Sequence, residues 1–312
     1  MNNGEFKKSI SSLSQKSKNN LLINAITEKN YDAIKAAIYI GADPKANNNA
    51  PIKEAIRIND GKCVEVLMKY GAEINFENDY ALRIAAGQGC LDIVKIAIDN
   101  GANIAENGGH ALCYAAINGS FDIVKYLVEC GADYKHSRSF ALKEAAYKGY
   151  LDIVKYLLKL GCDPHTEDDA PLRLACYKGH VEVAEELLKY GATVDSNDHD
   201  ALMSACMNNK AGIIELLISY GENIHYNNNE ALIIALENNS YESAEELLRY
   251  GASPNVPNGK PLKTAAAYGD PKLIELLLTN GATPTQDAID EAHRFDKFSN
   301  SEVIYKKING PK

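Results

Sequence analysis

The residues able to do chemistry in this 312-residue chain are seven histidines, seven cysteines and forty-two Asp or Glu. Their spacing matters more than their number. Metal-dependent hydrolysis needs ligands such as HExxH on one helix face, phosphate binding needs a glycine-rich loop, and acyl transfer needs a GxSxG elbow. None of these strings occurs, nor does an EF-hand loop or a CxxC pair. His165, Asp195, His199 and His225 fall at loop spacing and would be the one metal constellation worth testing. Zinc ligands lie about 2 Å from the ion, whereas successive loops of stacked helices are separated by about 10 Å. Polar loop tips in water are therefore expected instead. Cys176 and Cys206 face the same argument, since a disulfide requires Cα atoms about 4.4–6.8 Å apart. They read as small core residues, and the odd set of seven thiols as reduced and cytoplasmic. No catalytic residue, cofactor or metal is expected.

Composition narrows the partners. The formal charge is −9, with 46% hydrophobic and 24% charged residues. That balance suits a folded, core-forming chain and disfavours non-specific binding to nucleic acid phosphates. No apolar run approaches the ~18 residues of a membrane span, so neither nucleic acid nor membrane is expected as a partner. Charge is uneven: residues 161–312 hold 13 Lys/Arg against 24 Asp/Glu, while residues 1–160 are close to neutral.

The elements that position these residues recur every thirty positions. Glycine falls at 41, 71, 101, 131, 161, 191, 221, 251 and 281, followed by Ala except at Cys162 and Glu222. With Pro51 as position 1 of a unit, position 5 is Ala in nine successive units, from Ala25 to Ala265. Position 2 is Leu or Ile in the same nine. Apolar positions 2, 5 and 6 share one helical face, which predicts a first helix over positions 1–8. Asn49, Asp79, Ser139, Asp169 and Asn229 stand just upstream as candidate N-caps. Gly or Asn at position 9 ends that helix in the left-handed region. Positions 13, 14, 17 and 18 form the stripe of a second helix over positions 11–20. One such pair cannot bury its own apolar face, so the units must stack.

The strings Ala81-Leu82-x-x-Ala85-Ala86-x-x-Gly89, Leu91-Asp92-Ile93-Val94-Lys95 and Gly101-Ala102 carry a resemblance to the ankyrin repeat. It covers residues 21 to about 284. The period is 30 rather than 33 and the Thr-Pro-Leu-His tetrad is missing, which implies stubby hairpin-like loops. His180 sits where ankyrin repeats often carry histidine between helices. Short, Asn-rich units look like the ankyrin families of giant DNA viruses of amoebae, which would place the protein in a host cytoplasm; bacteria that live inside amoebae are the alternative source. The expected fold is an all-α solenoid: a polar tail or partial cap over 1–20, nine repeats over 21–284, and a degenerate capping repeat over 285–312. Phe6, Ile10 and Leu13 are candidates to cover the first repeat.

Invariant columns hold such a stack, leaving the variable ones free to recognise a partner. By the same resemblance, positions 7 and 8 and loop positions 25–29 line a concave groove and its loop edge, where partners bind. Positions 7 and 8 supply Arg57, Gln88, Asn118, Tyr147, Lys148, Tyr177, Lys178, Met207, Asn208 and Tyr268 as candidate partner-binding residues. Tyr147, Tyr177 and Met207, flanked by the two lysines, form the expected central strip, because tyrosine offers rigid amphipathic surface. In the competing reading the tyrosines only pack on one another and on lysine stems. Position 15 switches from Lys95, Lys125 and Lys155 to Glu185, Glu215, Glu245 and Glu275. That is either a solvated helix face or a field steering a basic partner. A monomeric, non-catalytic scaffold binding a protein of unknown identity is expected. A ubiquitin-ligase adaptor is the alternative, disfavoured because the 28 residues after the last repeat read as a cap; an unrecognised enzyme is the other.

Overall fold

The protein is described by a computed structural model covering residues 13–295 and 297–309, with only the backbone of Ser137 and Arg138. Phe6 and Ile10 lie outside the described residues. Helices appear where the thirty-residue columns require them. They are α1 (Gln15–Thr27), α2 (Tyr31–Tyr39), α3 (Ala46–Arg57), α4 (Gly61–Lys69), α5 (Tyr80–Gln88), α6 (Leu91–Asp99), α7 (Ile104–Asn118), α8 (Phe121–Glu129), α9 (His136–Lys148) and α10 (Leu151–Lys159). The series continues with α11 (Thr166–Lys178), α12 (Val181–Lys189), α13 (Ser196–Met207), α14 (Ala211–Ser219), α15 (Tyr226–Glu237), α16 (Tyr241–Arg249), α17 (Lys260–Tyr268), α18 (Pro271–Thr279), α19 (Gln286–Arg294) and α20 (Phe298–Asn309). No strand occurs among the described residues. Odd-numbered helices are the first of each pair and even-numbered ones the second. α1 starts at Gln15, capped by the Ser14 hydroxyl accepting from Ser17 N at 3.1 Å, so it takes in the end of the stretch expected as a tail.

The chain divides into two compact units, residues 1–141 and 142–312, with the boundary inside α9. Within each, a first helix packs on the next first helix and on its own second helix. The columns account for this. In unit 1, Ala55, Ala85 and Ala115 are fully buried, as are Ala145, Ala175, Ala205 and Ala235 in unit 2. A methyl at that position lets helices approach closely. Ile153, Val154 and Leu157 show no exposure either, so the second-helix stripe faces the stack.

The loops depart from the hairpin-like expectation, and the reason lies in their asparagines. Residues 47–49, 77–79, 167–169, 197–199 and 227–229 each form one left-handed turn, with φ from +44° to +61°. Twelve of these fifteen residues are Asn or Asp, the L-residues that tolerate this region best. The turn leads straight into the first helix. In α7 there is no such turn: the helix runs continuously from Ile104, capped by Asn103 Oδ1. Gly108 and Gly109 permit this, because a Cβ on Gly109 would lie 2.7 Å from the His136 ring.

Asn49, Asp79, Asp169 and Asn229 do not cap their helices through the side chain, although Asp79 stands at the N-cap position of α5. Each adopts a left-handed backbone without a capping hydrogen bond to its own helix. The carboxylate of Asp79 instead accepts from Asn103 N at 2.8 Å and Asn107 Nδ2 at 2.9 Å. Asp169 likewise accepts from Thr193 N at 3.2 Å and Thr193 Oγ1 at 2.7 Å. These two carboxylates tie one repeat to the next, 24 residues on. Position 9 is left-handed as expected at Gly89, Asn59 and Gly149, but Gly269 is extended at φ −76° and ψ 172°. There the chain turns toward the last pair, and buried Asn300 donates through Nδ2 to the carbonyls of Ala265, Ala266 and Gly269.

Candidate functional site on the first helices

Positions 7 and 8 follow the buried pair at 5 and 6, so a turn of about 100° per residue carries them to the exposed side of each first helix. In unit 2 this brings Tyr147, Lys148, Tyr177 and Lys178 together at the ends of α9 and α11. Lys178 Nζ lies 4.5 Å from the centre of the Tyr147 ring and 5.2 Å from that of Tyr177. Lys148 Nζ stands 5.7 Å from the Tyr147 ring centre. These are cation–π distances. Interaction with the Tyr147 side chain pushes the Lys178 ammonium above lysine's ordinary pKa. Met207 follows at the same column of α13, 50% exposed, while Tyr177 is 40% exposed and Tyr147 half-buried. So the lysine stems do pack on tyrosine, and an amphipathic surface is still left open to solvent.

The floor under this strip is fixed by the next repeat. His180 Nε2–H donates to the Tyr147 carbonyl at 3.1 Å, and Ser240 Oγ donates to the Met207 carbonyl at 3.3 Å. The His180 ring lies 2.6 Å from where a Cβ on Gly149 would stand, so only glycine fits there. The remaining candidates do not join the strip. Asn208 Nδ2 is turned onto the Ser204 carbonyl at 2.8 Å, and Tyr268 leans on Phe295 with ring centres 5.1 Å apart. In unit 1, Arg57 is held by Glu54 at 2.6 and 2.7 Å, and this guanidinium keeps the Glu54 carboxyl below its usual range. Gln88 Nε2 donates to the Arg57 carbonyl at 3.3 Å, and Asn118 Nδ2 to Ser120 Oγ at 2.8 Å. These polar ends are already used.

Sequence reasoning missed two sets of exposed aromatics. Tyr114, on α7 at position 4 of its thirty-residue unit, is 43% exposed beside Gly87. Tyr190, Tyr220 and Tyr250 recur at position 20 and are 38–45% exposed. The recurrence was visible in the sequence; that the ring at a helix end stays uncovered was not. On the second helices, a shallow furrow of about 930 Å³ between α16 and α18 is lined by Glu245, Glu275, Arg249 and Lys272. Arg249 pairs with Glu246 there and lies 4.0 Å from Glu215.

The reactive residues are placed quietly. His165 Nδ1 pairs with Asp169 at 3.0 Å, His225 with Asn229 at 2.9 Å and His199 with Glu222 at 2.5 Å, each at its own repeat junction. Among the described residues no group of three or more His, Cys, Asp or Glu is placed to hold a metal ion. Cys176 and Cys206 are fully buried, and burial pushes both thiols well above the usual range. Among the described residues no helix is long and apolar enough to cross a membrane.

Stacked two-helix repeats with an exposed, variable first-helix face define an all-α repeat solenoid, a class in which recognition sits on the face the stack leaves uncovered. The family model for ankyrin repeats (three copies) matches residues 52–138, 142–228, 172–258 and 202–288, the last three windows stepping by the thirty-residue period. The chain belongs to the ankyrin repeat family. Ankyrin repeats generally mediate protein–protein interaction. No curated protein is similar enough to count as a match.

Proposed function

We propose that this protein is a non-catalytic scaffold that binds a partner protein through the first-helix face of unit 2, with Tyr147, Lys148, Tyr177, Lys178 and Met207 as the contact strip. The observation that carries the reading is the open Tyr–Lys surface on α9 and α11, continued by half-exposed Met207 on α13. Aromatic side chains with few rotatable bonds give contact area at low entropic cost, which is why they dominate binding hot spots. The face is also held from behind by His180 and Ser240, so little of it must be ordered on binding. The seven free cysteines, six of them buried, support a cytoplasmic site of action.

Selection of a random peptide library on the immobilised full chain tests this. Enriched clones should lose binding to a Tyr147→Ala/Tyr177→Ala/Met207→Ala variant that still melts cooperatively. Clones that bind this variant as well as the wild type would remove the strip from the function.

A further inference from the structure

The strip carries cations that the rest of its surroundings would be expected to neutralise. Unit 2 holds 26 Asp/Glu against 17 Lys/Arg. Other cations on the same first helices find carboxylates: Lys143 pairs with Glu167 at 2.7 Å and Arg173 with Asp200 at 2.6 Å. Among the described ion pairs, neither Lys148 nor Lys178 has one. Both are instead propped on tyrosine faces.

We propose that the occupant of this strip is an acidic, aliphatic-bearing segment of another protein, its carboxylates seated on Lys148 and Lys178 and its apolar side chains on Tyr177 and Met207. This rests on the reading that the strip binds protein, and names the chemistry of the partner.

Charge complementarity selects this occupant. Covering the strip with an apolar segment would strip water from two ammonium groups without giving them a counter-charge, which is costly. A basic segment would meet like charges at the tyrosine faces it would otherwise use, since Lys178 already occupies both rings. A carboxylate has neither problem: it gains charge-assisted hydrogen bonds from ammonium groups whose stems are already packed. Beyond Lys178 its column becomes Asn208 and Asn238, and beyond Tyr177 the neighbouring column becomes Met207 and then Glu237, so the cationic end of the strip is the α9–α11 end. An acidic residue thus docks there, with aliphatic residues toward α13. The field of unit 2 as a whole opposes an acidic ligand, so binding of one reports local chemistry rather than general attraction.

Fluorescence anisotropy on the full chain tests the proposal with three labelled twelve-residue probes: repeats of Glu-Glu-Leu, Gln-Gln-Leu and Lys-Lys-Leu. The wild type should prefer the Glu probe over the Gln probe, and the Gln probe over the Lys probe. Lys148→Gln/Lys178→Gln should weaken the Glu probe by about tenfold or more, the scale of losing one or two charged hydrogen bonds. Lys148→Glu/Lys178→Glu, at exposed sites, should reverse the order of preference. A Lys probe bound as tightly as the Glu probe by the wild type, or a Glu probe unaffected by the glutamine variant, overturns the proposal. The two readings fail separately. Library clones that depend on Tyr147 and Tyr177 but not on the lysines would sink the acidic partner and leave the strip standing; clones that depend on neither would sink both.

Discussion

Exchanging His199 for Asp together with Glu222 for Ala is expected to stabilise the protein by about 1–2 kcal/mol at neutral pH. Position 22 is Ala in seven of nine units, and Glu222 replaces it with a side chain that shows no exposure. Its Oε1 accepts from His199 Nδ1 at 2.5 Å and from Asn223 N at 2.8 Å, but its Oε2 is buried without a partner. At the preceding junction Ala192 sits at position 22, and Asp169 makes the backbone tie to Thr193 from across the repeat boundary. His199 and Glu222 are therefore a paired exchange, in which the acceptor has moved from one side of the boundary to the other. Glu222→Ala alone removes the orphan oxygen but also leaves His199 and Asn223 N unpartnered. Each such loss is about 1–3 kcal/mol, so with two losses against one gain the single variant should be less stable than the wild type by about 1–3 kcal/mol. The double variant restores an acceptor for Asn223 N from residue 199 and keeps the gain.

The pH dependence gives an internal check. Burial raises the Glu222 pKa above the ordinary 4.5. Between those two values the folded state holds a proton that the unfolded chain releases, so wild-type stability falls as pH rises through that window. The double variant lacks this loss, and its advantage should be small near pH 4 and full once pH exceeds the raised value. Urea unfolding at several pH values measures it, and each 1 kcal/mol should move the thermal midpoint by about 2–4 °C. A double variant no more stable than the wild type at pH 8, or an advantage independent of pH, would refute the reasoning.

Four other outcomes are expected. Asp169→Ala should cost about 1–3 kcal/mol by leaving Thr193 N and Oγ1 without their acceptor, read as a lower urea midpoint. Gly149→Ala should cost more than the ~1 kcal/mol of an ordinary left-handed site, because its φ is +80° and His180 stands in the way; combining it with His180→Ala should recover part of the loss. Ala175→Leu overfills a fully buried contact between first helices and should destabilise by about 1–3 kcal/mol, seen in chemical denaturation. Ser243→Ala should be neutral or stabilising by up to about 1 kcal/mol, since the buried Ser243 hydroxyl has no partner in a column that is otherwise apolar; a clear loss of stability would mean that the hydroxyl is satisfied.

What the sequence determined by itself was the framework: two helices per thirty residues, the alanine and leucine columns that bury, and the columns left to vary. Those features are local, because hydrophobic period and helix stop residues act within one turn or two of chain. The tertiary structure decided what the polar residues do. Asp79 and Asp169 look like N-caps along the chain, yet their hydrogens come from residues 24 positions later. The Asn- and Asp-rich loops look like short hairpins, yet adopt left-handed turns that aim those side chains at the next repeat. Of ten candidate contact residues spaced alike, only the group at α9 and α11 is joined through shared lysine–tyrosine contacts, while Arg57, Gln88 and Tyr268 turn to neighbours. Equal spacing gives equal direction from each helix, but a polar side chain goes to whichever partner the folded chain presents: Arg57 and Asn208 find one within four residues, while Gln88 finds one in the adjoining repeat, some thirty residues away.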